Sequence, residues 1–416
     1  MSLSTIVPAS YVTRRLAPDD EIYSLEAVFR RNIASLIGSE PSPGGIENQS
    51  RCGLELDALA LDRRRPSGTK ELSLALMRLI QPTRTAAAVV SAKNEGCFLL
   101  ECVAHYRAVG FEHVFLYTND NSDGSDALLD ALDATRFVTV IRNEVGPLVS
   151  PQVKAYEHSI HLLRALRDFE WVSYFDVDEF LVPAEHHDYS VIETITDLQR
   201  RYPSQLAAAS NPSTSAYDRA PSAICYNWNW YGSEGQIRQQ DGLVQERFCH
   251  STPHPLVKSL VRLADIGTMA AIHIPGPEGL TFVNAAFEPI TVGPDCLVTP
   301  PDPIHGTVNH YYQKSFEEFG VKSNRGRGGV PGGLEGKGLH TFFEWDVVAT
   351  PVTYNPVPPR LLARVHTELA ALRAIPAIAD AALFAQQAYR ALSRHVNGND
   401  LEAKFNSLRA QFQPAP

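Results

Sequence analysis

The part of the chain with the most regular hydrophobic pattern begins near residue 86. Short apolar runs at residues 86–90, 114–117, 138–141 and 171–175 alternate with stretches long enough for helices. Runs of this length, rich in β-branched and aromatic residues, are typical of buried strands. Strands separated by helices form a parallel sheet, because a parallel connection needs a long crossover. The pattern therefore predicts repeated βα units with right-handed crossovers.

The segments between these runs carry helical patterns. The apolar side chains of Phe98, Leu99, Cys102, Val103 and Tyr106 recur at helical spacing. Ser125 is predicted to cap a helix over residues 127–132, and residues 153–166 carry another apolar stripe. Two alanine-rich helices are predicted near the C-terminus, over residues 361–372 and 378–395.

Composition shifts divide the chain into three parts. Residues 1–82 are predicted to be an N-terminal extension, helical around 21–37, loose over 39–45 and basic over 63–65. Residues 83–350 are predicted to form the main α/β domain, with a first half over 83–185 and a second half over 186–350. Residues 351–416 open on a proline-rich stretch and continue as a helical extension.

Composition and charge exclude several function classes. The chain has 416 residues, of which 44% are hydrophobic and 20% are charged, and this suits a globular enzyme with two lobes. A net charge of -10 argues against duplex nucleic acid or an anionic membrane as the main partner. No apolar run suffices for a signal peptide or a membrane span, so a cytoplasmic protein is expected. The 6 cysteines include no Cys-x-x-Cys pair, which predicts reduced thiols rather than disulfides or structural zinc.

Polar residues follow each predicted strand, and the fourth strand is followed by two carboxylates. Asp176 and Asp178 stand one residue apart, bracketed by Phe175 and Phe180. Open α/β sheets bind ligands at the carboxyl ends of their strands. Carboxylate oxygens there can hold Mg²⁺ or Mn²⁺ against the phosphates of a nucleotide. A solvated acidic turn is the alternative, since an Asp-x-Asp triplet alone is weak evidence.

An ordered set of motifs resembles the GT-A-type glycosyltransferases, specifically a bacterial family-2-like group related to glycosyltransferase family 92. The motifs run over residues 93–95, 101–114, 119–125, 171–181, 228–248, 258–262 and 309–326. Cys102 and Glu234 depart from the residues common in that group, which affects substrate detail rather than fold. The resemblance implies a Rossmann-like, mixed but mainly parallel sheet flanked by helices.

The resemblance also implies a reaction: transfer of a sugar, with inversion, from a nucleotide-diphosphate donor such as a UDP-sugar. The acceptor would be a hydroxyl on a glycan or a lipid-linked glycan, as in polysaccharide biosynthesis. The cofactor would be Mn²⁺ or Mg²⁺. Asp176, Asp178 and His310 are the predicted metal ligands; His305 is the alternative histidine, and a buried structural role for His310 is also open. The residues predicted to bind the nucleotide sugar are Lys93, Asn94, Glu95, Asp120, Asp123, Asp176, Lys258, Lys322 and Arg325.

The acceptor side is predicted to follow the paired aspartates. Trp228, Trp230 and Tyr231 offer faces on which a sugar ring can stack, although such clusters are also common in protein cores. Glu246 is the predicted catalytic base, with Asp241 and Glu234 as alternatives, and a structural Glu–Arg pair remains open. The glycine-rich run over 326–333 is predicted to be either a lid over the diphosphate or a linker.

Two other functions fit parts of the pattern. A sugar-nucleotide nucleotidyltransferase shares the sheet and the metal-binding acids, but it typically opens with a glycine-rich basic loop, and residues 91–96 hold one glycine and one lysine. A non-catalytic nucleotide-sugar-binding module would bind donor without turnover. Dimerisation through the last helices is a further open point.

Overall fold

The computed structural model describes residues 51–61, 68–202, 220–269, 272–276, 280–333, 337–348 and 353–412. In chain order, its first strands are β1 (Arg51–Cys52), β2 (Arg84–Ala92), β3 (His113–Thr118), β4 (Val138–Asn143), β5 (Phe169–Asp176), β6 (Glu179–Pro183) and β7 (Ala223–Tyr231). The later strands are β8 (His250–Arg262), β9 (Thr268–Met269), β10 (Pro275–Gly276), β11 (Phe282–Asn284), β12 (Pro289–Ile290), β13 (Gly306–His310) and β14 (Thr353–Tyr354).

The α-helices surround this sheet. The first six are α1 (Asp57–Leu61), α2 (Gly68–Met77), α3 (Gly96–Ala108), α4 (Ser125–Asp133), α5 (Pro151–His161) and α6 (Val191–Arg201). The others are α7 (Val244–Arg247), α8 (Phe316–Asn324), α9 (Thr341–Val348), α10 (Pro359–Arg373), α11 (Pro376–Asn397) and α12 (Leu401–Phe412). Short 3₁₀ turns lie at Leu54–Leu56, Arg164–Asp168, Glu185–His187 and Pro331–Gly333.

The main sheet is parallel on one side and mixed on the other. Its order is β1-β4-β3-β2-β5-β8-β7-β11-β12, and the pairs from β1 to β5 are all parallel. This confirms the four predicted strands and the mainly parallel α/β sheet flanked by helices. The chain leaves β2 for β3 on one side, while β5 pairs with β2 on the other. A topological switch point therefore lies at the carboxyl ends of β2 and β5, where open α/β sheets bind ligands.

Strand β2 is buried on both faces, as its continuous apolar run predicts. Ala86, Ala88 and Val90 pack with α3, α10 and α11 on one face, in the larger hydrophobic core. Ala87 and Val89 pack with α2 and α5 on the other face. The small alanine side chains let both helical layers approach the sheet closely.

The second half of the chain returns to the switch point through β13. This strand lies between β6, with which it is antiparallel, and β7, with which it is parallel. The register places His310 opposite Glu179, and the Tyr311 amide donates to the Asp178 carbonyl at 2.9 Å. The end of β13 is therefore fixed beside the turn that carries the paired aspartates.

The C-terminal helices pack on the first half of the domain. Helix α10 lies against α3, where Arg107 Nε is 2.5 Å from Glu368 Oε2, and α11 lies against α3, α4 and α8. Both predicted C-terminal helices are thus present, and α12 is a third that the sequence pattern did not indicate. The predicted cap was wrong: α4 begins at Ser125 itself, whose amide donates to Asp123 Oδ1 at 3.1 Å.

Several sequence predictions concern parts outside the described residues, including the helix over 21–37, the loose stretch over 39–45 and the basic run over 63–65. The predicted domain boundaries stay predictions. All 6 cysteines are free, as expected from their spacing. Within the described ranges, no helix combines the length and apolar character that crossing a membrane requires.

Candidate active site

A cavity of about 310 Å³ opens at the switch point of the sheet. Its walls come from the ends of β2 and β5, the start of α5, the end of β13, α8 and the glycine-rich loop that follows α8. The predicted site residues that line it are Lys93, Glu95, Asp176, Asp178, Trp228, Trp230, His310, Lys322 and Arg325. The structure thus brings together residues from both halves of the predicted domain.

The paired aspartates lie in the turn between β5 and β6. Asp176 ends β5, where it pairs in register with Ser91 of β2, and its amide donates to Glu179 Oε2 at 3.0 Å. Asp178 is 2% exposed, so its carboxylate is held inside the protein rather than on a mobile loop. The prediction that both acids leave the carboxyl end of a buried strand is confirmed.

The Asp178 carboxylate lies among three cationic or cation-forming groups. Its Oδ2 is 2.5 Å from Lys322 Nζ and 3.3 Å from Lys314 Nζ, while its Oδ1 is 3.7 Å from His310 Nε2. Burial would raise the pKa of the Asp178 carboxyl, but Lys322 and Lys314 outweigh burial and hold that pKa well below its usual range. Asp178 is therefore ionised at neutral pH.

His310 faces Asp178 without a hydrogen bond to it, because 3.7 Å exceeds hydrogen-bond range. Its other ring nitrogen, Nδ1, is buried with no partner among the described residues, and the ring packs on Trp228 with centroids 4.2 Å apart. Burial lowers the pKa of His310 well below its usual range, and Asp178 only partly opposes this. The imidazole is therefore neutral at pH 7, the state in which it can bind a metal.

This pair suits a divalent cation. Ligands about 2.1 Å from one octahedral ion lie roughly 3 to 4 Å from each other, which matches the separation of Asp178 Oδ1 and His310 Nε2. One carboxylate and one imidazole favour Mn²⁺ over the harder Mg²⁺. The part of the chain that the structure describes contains no group of three or more His, Cys, Asp or Glu residues able to hold a metal. A cation here would depend on phosphate and water for its remaining ligands.

Asp176 lies on the same cavity but is held differently. Its Oδ1 accepts a hydrogen bond from Gln152 Nε2 at 2.6 Å, and Gln152 also donates to the Tyr156 hydroxyl at 2.9 Å. Behind it, Glu179 and Lys258 form a fully buried pair at 3.1 Å. Lys258, predicted to bind donor, thus lies beneath the turn that carries the aspartates and does not line the cavity.

The cationic side of the cavity begins at Lys322, which is bonded to Asp178. Lys322, Arg325 and Arg327 line it, and Arg325 pairs with Glu95 and donates to the Lys93 carbonyl at 2.6 Å. The glycine-rich loop closes this side. There the Gly328 carbonyl accepts a hydrogen bond from the backbone N–H of Gln152 at 3.0 Å. The loop therefore lines the cavity and is bonded to the start of α5.

Three of the residues predicted to bind donor, Asn94, Asp120 and Asp123, do not line the cavity and are held by hydrogen bonds beside it. The backbone N–H of Asn94 donates to Asn121 Oδ1 at 3.0 Å. The buried Asp123 carboxylate accepts from the backbone N–H of Gly96 at 2.7 Å. Asp120 lies in the same loop, at the end of β3, with its Oδ2 bonded to Asn119 Nδ2 at 3.0 Å. Asn119 does line the cavity, and this loop forms its rim.

Two of the three predicted acceptor aromatics reach the cavity. Trp228 and Trp230 line it but are largely buried, packing on each other and on His310. Tyr231 points the other way, stacks on Tyr311, and donates its hydroxyl to the Asn355 carbonyl at 2.6 Å. Tyr231 is therefore a core residue in this structure.

The structure does not bring the predicted base to this cavity. Glu246 and Asp241 line a second cavity of about 260 Å³, between α3, residues 239–243 with the following helix α7, and the C-terminal helices. Glu246 Oε1 is 2.8 Å from His366 Nε2, and Asp241 Oδ1 accepts from Arg390 at 2.8 Å. The alternative Glu234 accepts from the amide of His250 at 2.9 Å. His305, the alternative metal ligand, bonds Asp302 at 2.8 Å and does not line the cavity.

Two site residues were missed from the sequence. Gln152 gives no signal, since it is an ordinary polar residue in the first turn of a helix. Lys314 gives a weak sequence signal, because it follows His310 by only four residues. If the strand ends at His310 beside Asp178, the turn that follows must also lie near Asp178. Its position depends on the Ser315 cap of α8, whose hydroxyl accepts from the Glu318 amide at 3.3 Å.

Residues 94–275 match the sequence model of the family described as Glycosyltransferase family 92. The matched segment includes the aspartate turn and the β7–β8 pair. It stops before His310 and Lys322, so these two residues of the second half of the domain lie outside it. The match concerns family 92; the relation to a bacterial family-2-like group stays a prediction.

Curated plant relatives agree with this match. The chain is similar to a glycosyltransferase family 92 protein of Ricinus communis, with 25% identity over 55% of this chain and 35% of that protein. A family 92 protein of Oryza sativa subsp. japonica is 28% identical over 26% of this chain and 17% of that protein. One of Arabidopsis thaliana is 30% identical over 21% of this chain and 14% of that protein. The chain thus spans about a third or less of the length of these relatives.

Proposed function

We propose that this chain, whose residues 94–275 are similar to glycosyltransferase family 92, transfers a sugar from a nucleotide-diphosphate donor to a hydroxyl acceptor in a metal-dependent reaction. The observation that carries the proposal is the composition of the switch-point cavity. Two carboxylates, an imidazole, cationic side chains and two tryptophans line this one cavity, and the cationic Lys322 is bonded directly to Asp178.

The charges suit a donor diphosphate. Breaking the bond between sugar and diphosphate leaves negative charge on the leaving group, and fixed cations stabilise that charge. Lys322, Arg325 and Arg327 would bind the phosphates, with the glycine-rich loop over them. Asp178 and His310 would hold Mn²⁺ or Mg²⁺, which when bound acts as a Lewis acid on the phosphates.

The rest of the cavity is suited to positioning. Gln152 orients the Asp176 carboxylate, and the buried Glu179 and Lys258 fix the turn behind it. Asp176 and the Asn119 rim would receive the ribose and base of the donor, for which a UDP-sugar remains our proposal. Trp228 and Trp230 offer apolar faces beside His310 for the transferred sugar or its acceptor, which we expect to be a glycan or a lipid-linked glycan.

The first test is a panel of nucleotide sugars and free nucleoside diphosphates. Isothermal titration calorimetry with and without Mn²⁺ should reveal binding of one nucleotide class, and release of the free nucleoside diphosphate should follow slowly without acceptor. Metal-dependent binding without any release or transfer would favour a non-catalytic module. Absence of binding by every nucleoside diphosphate would overturn the proposal.

A further inference from the structure

The two oxygens of Asp178 face different partners. Oδ1 faces His310 Nε2 at 3.7 Å, outside hydrogen-bond range. Oδ2 is bonded to two ammonium groups, those of Lys322 at 2.5 Å and Lys314 at 3.3 Å. The charge of Asp178, which the proposed function assigns to a metal, is thus already balanced by lysines of the chain.

These two lysines differ in access to the cavity. The Lys314 side chain is 3% exposed, lies with Nζ 4.6 Å from the centre of the Phe98 ring, and does not line the cavity. Lys322 is 17% exposed and lines the cavity. It comes from the last turn of α8, immediately before the glycine-rich loop, so a ligand in the cavity can reach it.

Besides its bond to Asp178, the Lys322 ammonium group contacts Tyr312. Its Nζ donates to the Tyr312 carbonyl at 3.1 Å and lies 3.6 Å from the centre of the Tyr312 ring. Neither contact depends on the aspartate, since both come from the chain just before α8. An anion entering the cavity would therefore offer Lys322 a second charged partner within the reach of a flexible lysine stem.

Binding of a divalent cation to Asp178 without nucleotide is electrostatically unfavourable. Two ammonium groups already neutralise Asp178, and they repel a further cation at short range in a poorly hydrated site. A diphosphate makes cation binding more favourable in two ways. Its oxygens accept hydrogen bonds from the Lys322 ammonium group, and they complete the coordination shell of the metal ion.

We propose that Lys322 exchanges its partner, from Asp178 in the free protein to the diphosphate in the complex, and thereby couples metal binding to nucleotide binding. This inference rests on the proposed function of the cavity. Because such coupling is reciprocal, UDP must strengthen Mn²⁺ binding by the same factor by which Mn²⁺ strengthens UDP binding.

The test is calorimetric titration of the full chain with Mn²⁺, in the absence and presence of saturating UDP. Lys322→Met removes the charge and keeps an aliphatic stem on Tyr312. It should bind Mn²⁺ alone about tenfold more tightly than wild type, and the enhancement by UDP should fall about tenfold. Lys322→Arg keeps the charge and should resemble wild type. Circular dichroism and thermal unfolding check that each variant is folded, and Lys322→Gln replaces the methionine variant if it is not.

Arg327→Gln is the matched control. It removes one positive charge from the same cavity, and the described residues show no bond between its side chain and Asp178. It should weaken UDP binding but leave the affinity for Mn²⁺ alone within about twofold. An equal gain in Mn²⁺ affinity in this variant would show that only overall charge matters, and would overturn the exchange.

The inference and the proposed function fail differently. If wild type binds UDP and Mn²⁺ together but Lys322→Met has unchanged Mn²⁺ affinity, the exchange is wrong and the donor site stands. If wild type binds no Mn²⁺ with UDP, the metal-dependent function is overturned, and the exchange with it.

Discussion

Asp178 Oδ1 and His310 Nε2 lie 3.7 Å apart at the carboxyl edge of the sheet, although the two residues come from different halves of the predicted domain. The pairing of β13 with β6 creates this meeting, since it places His310 opposite Glu179 next to the aspartate turn. The distance is too long for a hydrogen bond and suits two ligands of one ion.

Replacing Asp178 with asparagine should affect stability as well as binding. The Asp178 carboxylate is the counter-charge of the buried Lys314 and of Lys322. Breaking a buried pair leaves uncompensated charge, at a cost of about 3 kcal/mol. Urea unfolding without metal or nucleotide should reveal this loss, together with loss of metal-dependent donor binding.

His310→Gln is the control for that experiment. It removes the imidazole but keeps the lysines paired with Asp178, so it should weaken metal-dependent donor binding with a smaller loss of stability. An Asp178→Asn protein as stable as wild type would contradict the ion-pair account.

Glu246→Gln should leave sugar transfer within about threefold of wild type, because its carboxylate lies in the second cavity and bonds His366. Steady-state kinetics with an identified acceptor would measure this, with Asp241→Asn as a matched control from the same cavity. A loss of about 10²-fold at unchanged donor affinity would restore Glu246 as the base.

The local part of the fold was predictable from the sequence. Strands β2, β3, β4 and β5 and the helices α3, α10 and α11 each have a hydrophobic run or stripe long enough to identify them. The aspartate turn was predictable for the same reason, since it directly follows a strongly apolar strand. The identity of His310 as its neighbour came from the resemblance of the 309–312 motif rather than from periodicity.

What the sequence could not supply was the direction of side chains that depends on tertiary contacts. Tyr231 alternates with Trp230 along β7, and only one of the two faces the cavity. Lys258 looks like a phosphate ligand until Glu179 is found beside it in the core. Glu246 lies in a short helix whose docking on α3 depends on the Glu101 carboxylate, which accepts from the Val244 amide at 2.8 Å.

Stability should fall between pH 6.5 and pH 5 through His158. This residue is buried, its Nδ1 lies 2.8 Å from the Tyr117 hydroxyl, and burial with help from Lys154 lowers its pKa to about 3. In the unfolded chain His158 binds a proton near pH 6.5, whereas in the folded protein it stays neutral until the pH is much lower. Protonation therefore favours the unfolded chain, and the stability present above pH 6.5 is lost as the pH falls. The loss by pH 5 should be about 1.5 kcal/mol from this group.

Urea unfolding at both pH values would measure this, comparing wild type with His158→Gln, which retains a hydrogen-bonding side chain. The variant should lose less stability on acidification than wild type by about that amount. Equal losses in the two proteins would show that His158 does not contribute.

The central claim is that the switch-point cavity binds a nucleotide diphosphate with a metal held by Asp178 and His310. The most direct measurement is a crystal structure with UDP and Mn²⁺, with anomalous scattering used to locate the manganese. The account predicts one anomalous peak within about 2.3 Å of both Asp178 Oδ1 and His310 Nε2, with the diphosphate against Lys322 and Arg325. A peak and nucleotide in the second cavity, or a nucleotide in this cavity with manganese bound elsewhere, would contradict it.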